Sequence, residues 1–157
     1  MNHHKSTDFG LLILRITIGL LLFISHGMDK LSQIGTDSAA HFLPIFGLSP
    51  HLSHFIAACA EGIGSIFIII GLFTRFTSLL LIITMTLAAL VAIASNTFYP
   101  LWIPSNLPEY KVVMSPFKEY SLLYGSVFFS LIFSGAGRYS IDEQIKYRLP
   151  YFLKFLC

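Results

Sequence analysis

Residues 55–94 read FIAACAEGIGSIFIIIGLFTRFTSLLLIITMTLAALVAIA. Two apolar runs, Phe55 to Phe73 and Phe76 to Ala94, are parted only by Thr74 and Arg75. At 1.5 Å per residue, a helix needs roughly twenty residues to cross a 30 Å hydrocarbon core, and each run nearly supplies that. Neither run alternates polar with apolar, as a barrel strand would, and in lipid the backbone must satisfy its own hydrogen bonds. The pattern predicts a tight hairpin of two membrane-crossing helices.

Working outward, Phe9 to Gly27 and Tyr120 to Ala136 are two further runs of the same kind. Composition agrees: of 157 residues, 55% are hydrophobic and 11% charged, and the mean hydropathy is +0.74. A water-soluble domain carries roughly 25% charged residues, so this chain cannot build a wetted surface while burying so much apolar side chain. The expected fold is all-α: one domain over residues 1–157, a four-transmembrane-helix bundle with spans at about 9–27, 55–73, 76–94 and 120–136. The first span reads as a retained helix rather than a cleaved signal, because Arg15 interrupts it and no small-x-small site follows.

The long connections 28–54 and 95–119 fall on one side, and the second carries Phe98, Tyr99, Pro100, Leu101, Trp102, Ile103 and Pro104, a cluster suited to the headgroup region. Lys5, Arg75, Arg138, Lys146, Arg148 and Lys154 fall on the other side, against Lys30, Lys111 and Lys118. That excess predicts cytoplasmic termini in a bacterial inner membrane. Residues 139–157 mix cationic and aromatic side chains and predict a short amphipathic helix along the inner surface. The formal net charge of +2 and the scattered basic residues exclude a nucleic-acid footprint. Cys59 and Cys157 form no CxxC or disulfide framework, so covalent dithiol chemistry within the chain is not expected.

An ionisable residue inside a span costs perhaps 2.5–3.5 kcal/mol on insertion scales, which makes each a candidate for function. Arg15 and His26 lie in the first span, Lys30 just beyond it, Glu61 in the second, and Glu119 opens the fourth. Steps of four, three, four and four put Arg15, Gly19, Leu22, His26 and Lys30 on one stripe. Counting rise from the span ends sets His26 about 25 Å and Glu61 about 21 Å above the inner edge, within side-chain reach. Glu119 and Lys30 share that outer third, whereas Arg15 sits roughly 9 Å up, and the pattern names no partner for it. Burial resists the Glu61 charge and a neighbouring His26 or Lys30 favours it, a balance suited to proton exchange with a bound apolar ligand. The alternative is a structural ion-pair network that only aligns helices.

Other polar patterns read as structural. Ser126, Ser130 and Ser134 form a hydroxyl stripe running to Arg138, expected to join helices by interhelical hydrogen bonds. Ala58 and Gly62, or Ala60 and Gly64, are small-xxx-small pairs that admit a close neighbour. His51 and His54, with His41 nearby, read as exposed loop histidines; no metal site is expected, and no haem.

The segments LRITIGLLLFISHGMDKL, EGIGSIFIIIGLFTRFTSLLLIITM and GAGRYSID together resemble the DoxX family of small integral membrane proteins. The resemblance covers most of the chain. Its motif positions fall on Arg15, His26, Gly27, Lys30, Glu61, Gly62, Gly71, Arg75, Gly135, Gly137, Arg138, Ser140 and Asp142. It implies association with quinone-linked oxidoreductases or with oxidative and thiol stress systems. The departures are long outer loops and the lack of a redox-active cysteine pair, so electrons would come from another subunit or a bound quinone.

The leading expectation is therefore an accessory subunit of a quinone-linked redox or oxidative-stress system rather than an enzyme acting alone. Glu61 and His26 would exchange protons, Arg15, Lys30 and Glu119 would contact ligand, and Gly27, Gly62, Arg75, Gly135, Gly137, Arg138, Ser140 and Asp142 would be structural. A quinone is the expected ligand, no covalent cofactor is expected, and the bilayer, a redox-enzyme subunit and a second copy are the expected partners. The alternatives are a non-catalytic scaffold that recruits a soluble enzyme, and a small-solute or lipid transporter. The last is disfavoured because no broken helix or inverted half is evident.

Overall fold

A computed structural model describes residues 3–40, 42, 47–94, 117–148 and 150. The expected headgroup cluster at 98–104, His41, Cys157 and the final residues 151–157 lie outside them, as does the side chain of Glu119. The described residues are helical, with no strand among them. In chain order they form α1 (His3–Leu22), a π-helical turn (Phe23–Gly27), α2 (Met28–Ser32), α3 (Asp37–Ala40), α4 (Pro50–Ile70), α5 (Thr74–Ala94), α6 (Phe117–Ser134) and α7 (Ile141–Ile145). Helix α1, the π turn and α2 run on as one apolar helix, Lys5–Ser32, so the first wall is longer than the span expected at 9–27. Lys30 is thereby part of that wall rather than of a loop.

Each element of the expected hairpin is punctuated by its sequence. Ser49 caps α4, its hydroxyl accepting from the Leu52 N–H at 3.4 Å, and Pro50 opens the first turn, where a missing N–H costs nothing. At the other end Gly71 adopts the left-handed conformation (φ 68°). Its N–H donates to the Ile68 carbonyl, and the Leu72 N–H donates to Phe67, closing a Schellman motif. Phe73 also has positive φ (46°), which strains a residue with a side chain. The strain is held from far along the chain: the Asp142 carboxylate accepts from the Phe73 N–H at 2.6 Å and the Thr74 N–H at 2.8 Å, capping α5.

The long first helix runs antiparallel to α4, since Arg15 lies against Gly71, Gly19 against Ser65 and Ile69, and Gly27 against Gly62. Helix α4 also packs on α5, and α5 on α6. The four long helices share a core of Ile18, Leu22, Ile68, Leu81, Met85, Tyr124, Phe128 and Leu131. Their outward faces are apolar as well: Leu21, Ile24, Ile56, Ile63, Leu79, Ile83, Leu122, Phe129 and Phe133 are all exposed. Polar groups turn inward instead, with Arg15, His54, Glu61, Ser65, Ser78 and Asp142 buried. This is the surface of a protein solvated by lipid rather than water. Among the described residues, two helices, Lys5–Ser32 and Pro50–Ile70, are long and apolar enough to cross a membrane.

One expectation is corrected here. The Ser126, Ser130 and Ser134 hydroxyls do not join helices: they are exposed and donate to carbonyls of their own helix, at Leu123, Val127 and Ser130. A serine hydroxyl reaches the carbonyl three or four residues back more readily than a neighbouring helix, so the stripe satisfies itself. The tail, expected as a short amphipathic helix over 139–157, is described through Arg148 and at Pro150, and its helix is α7. Asp142, its carboxylate already on α5, donates its own N–H to the Gly71 carbonyl at 2.8 Å, and Ser140 caps α7 by accepting from the Glu143 N–H. The segment is bolted under the hairpin turn.

Candidate functional site

The end of the bundle where the π turn packs on α4 is assembled by two glycines. A Cβ placed on Gly27 would lie 3.0 Å from the Gly62 Cα, and one on Gly62 would lie 2.5 Å from Leu31 Cδ1. Only residues without a side chain let the two backbones approach so closely. That contact brings Lys30 and Glu61 face to face: Lys30 Nζ donates to Glu61 Oε1 at 2.5 Å. Glu61 is 2% exposed, whereas the Lys30 side chain is 23% exposed, so the carboxylate is the desolvated partner and the ammonium looks outward.

His26 sits within the π-helical turn, a local unwinding that is often found at functional sites. Its half-buried ring meets Tyr124 of α6 edge-on, centroids 6.4 Å apart, and the Tyr124 hydroxyl hydrogen-bonds Ser25. Glu61, Lys30 and Asp29 are the charged groups that act on the imidazole. Lys30 and His26 thus flank one buried carboxylate, with Tyr124 closing the side toward α6. Glu119 lies in the first turn of α6, on the same end as Tyr124 by position in the helix.

Arg15 does not join this group. It lies about 20 Å away along the helix axis, at the end where the hairpin turn and α7 meet. The residue is 0% exposed. Its Nη2 donates to the Tyr139 carbonyl at 2.6 Å, Asp142 acts on it electrostatically, and Nη1 sits where a Gly71 side chain would be. The motif positions Gly71, Ser140 and Asp142 gather around it. Gly137 lies against Leu11 and Asp8, and Asp8 accepts from the Arg138 N–H at 3.2 Å and pairs loosely with its guanidinium at 4.0 Å. The sequence pattern named no partner for Arg15 because that partner is a carbonyl 124 residues away.

Sequence reasoning missed three neighbours of the outer site: Tyr124, Phe42 and His54. His54 is no exposed loop residue but a buried one on α4, while His51 is exposed. A signal existed, since His54 and Glu61 are seven residues apart, two turns on one helix face. Among the described residues, no group of three or more His, Cys, Asp or Glu could hold a metal ion.

The chain is thus a helical bundle with an apolar exterior and a buried charge pair between its first two long helices, the attributes of an integral membrane protein. Residues 10–94 carry the signature of DoxX. A protein of Haemophilus influenzae (strain ATCC 51907 / DSM 11121 / KW20 / Rd), described as "Uncharacterized protein", is 30% identical over 151 residues, 91% of this chain and 96% of that one. The Bacillus subtilis (strain 168) protein called "Putative oxidoreductase CatD" is 33% identical over 82 residues, 52% of this chain and 58% of its own length. No solved structure matches the chain. The chain belongs to the DoxX family of membrane proteins.

Proposed function

We propose that the chain is one domain that crosses a bacterial inner membrane four times with both termini in the cytoplasm, and that it serves a quinone-linked redox or oxidative-stress system as an accessory subunit. The observation that carries this reading is the Glu61 carboxylate, 2% exposed, paired to Lys30 and flanked by His26 at one end of an apolar bundle. A charge kept at such depth is costly, and a carboxylate beside an imidazole is a proton-handling pair. The name of the Bacillus subtilis relative supports the redox association. Apolar side chains exposed on α5 and α6 as well as on α1 and α4 support four crossings.

The donor set suits a ring bearing oxygen atoms. Lys30 has N–H groups beyond the one given to Glu61, and Tyr124 offers an aromatic wall. A bound quinone supplies two-electron, two-proton chemistry, the electrons arriving from the partner enzyme. Glu61 and His26 hold and deliver protons at Oε and the ring nitrogens, Lys30 holds the Glu61 side chain in place, and the apolar helices exclude water. Arg15, with Asp142 and the Tyr139 carbonyl, locks the opposite end.

Native mass spectrometry of the protein extracted gently from its own membrane tests the reading. A retained quinone, or a redox partner at fixed stoichiometry, is expected, and Glu61→Gln should abolish quinone retention. A protein carrying only bulk lipid, alone or as a homo-oligomer, would overturn it in favour of a scaffold whose charges merely lock helices.

A further inference from the structure

His54 lies near the start of α4, is 2% exposed, and neither Nδ1 nor Nε2 has a hydrogen-bond partner among the described residues. A neutral imidazole carries one N–H donor and one lone pair, and folded proteins rarely leave such groups buried and bare. Its position gives the nitrogens something to serve. His54 precedes Glu61 by seven residues, so it lies on the same face about 10 Å closer to the outer end of the helix. The Phe42 ring meets His54 edge-on, centroids 5.2 Å apart at 82°, and Lys30 Nζ stands 6.0 Å from the same ring. Phe42 therefore covers both the ammonium and the imidazole. The charged and titratable groups acting on His54 are Lys30, Asp29 and Glu61, with His51 on its own helix.

We propose that His54 is a further ligand-contacting residue: its ring N–H donates to a carbonyl oxygen of a quinone-type ring held under Phe42, beside the outward N–H groups of Lys30. This rests on the quinone reading above and extends it toward the outer end of the bundle. The site then has two donors of different kinds, a cation that also holds Glu61 and a neutral imidazole that serves the ligand alone. Lys30 is tied to the proton-handling carboxylate, so His54 is the group that fixes ring orientation.

The test uses the full-length protein, labelled with 15N-histidine, in lipid nanodiscs, with decylubiquinone as the probe. The expected result is a saturable change in the His54 ring nitrogen resonances on titration. His54→Phe should raise the decylubiquinone Kd about tenfold, the equivalent of one hydrogen bond, and His54→Asn, which keeps a donor, should raise it less than threefold. If wild-type protein binds the probe, Glu61→Gln abolishes that binding, and His54→Phe binds normally with unmoved His54 resonances in the wild type, this inference falls while the site reading stands. If wild-type protein does not bind decylubiquinone at all, both fall. Should His54→Phe fail to fold, the wild-type resonances decide alone.

Discussion

Breaking the Lys30–Glu61 pair from its two sides should have unequal effects. Lys30→Met leaves a carboxylate that is 2% exposed without its cation, and removal of one partner of a buried pair costs about 3–5 kcal/mol. Glu61→Gln leaves an ammonium whose side chain is 23% exposed and whose four-carbon stem can reach the headgroups. The amide oxygen still accepts from it, so the cost should be about 1 kcal/mol. The double variant buries no charge at this point and should lie within about 1 kcal/mol of wild type, because replacing both members of a buried pair is often neutral. The coupling energy should then be about 3–6 kcal/mol, far above the 0.2–1 kcal/mol of an exposed pair. Reversible unfolding in dodecylmaltoside micelles titrated with dodecyl sulfate, followed by far-UV circular dichroism, gives all four stabilities. Equal losses below about 1 kcal/mol for the two single variants would refute the reasoning, since they would mean that Glu61 is solvated and nothing is stored at the pair.

Two further substitutions probe the frame that holds the site. Asp142→Ala strips the cap from the Phe73 and Thr74 N–H groups and leaves Arg15 without a nearby anion; a loss of about 2–4 kcal/mol is expected in the same titration, and Asp142→Asn, which keeps one acceptor oxygen, should lose about half as much. Gly62→Val sets a branched side chain where Leu31 lies, within 2.5 Å of its Cδ1 even for the first carbon, and should cost about 1–3 kcal/mol; adding Leu31→Ala should restore most of that stability, and a double variant no better than the single one would show that Leu31 is not the obstacle.

The helices were legible because lipid writes a strong signal: unbroken apolar runs of span length need no tertiary knowledge to be recognised. The structure places α4 at Pro50–Ile70 and α5 at Thr74–Ala94, against expected spans at 55–73 and 76–94. The shift at α4 follows from Ser49 and Pro50, a helix-starting pair that hydropathy alone does not register. Rise per residue sets His26 level with Glu61 and groups Lys30 with Glu119; the structure pairs Glu61 with Lys30, one turn further along the first helix than the count gives. Other features were not legible, for a common reason. The Asp142 cap, the Arg15 contact with Tyr139 and the position of Phe42 over Lys30 and His54 all join residues from different elements, and no spacing within one helix encodes them. The π turn at His26 ends on Gly27, whose close neighbour is Gly62 of α4, so FISHG read alone does not mark it.

These placements divide the buried charges into two jobs. At the end where the hairpin turn meets α7, the bonds go mostly to backbone: Asp142 accepts from the Phe73 and Thr74 N–H groups, Arg15 donates to the Tyr139 carbonyl, and Asp8 accepts from the Arg138 N–H, while Arg15 Nε and Nη1 find no hydrogen-bond partner among the described residues. Such bonds tie loops to helix ends. At the opposite end the Lys30–Glu61 bond runs between side chains, with His26 and His54 beside it and aromatic rings of Phe42 and Tyr124 as walls. Side chains can rotate, exchange protons and accept a new partner where backbone cannot. On the reading proposed above, a ligand would bind at the second kind of end, whereas a scaffold would need only the first.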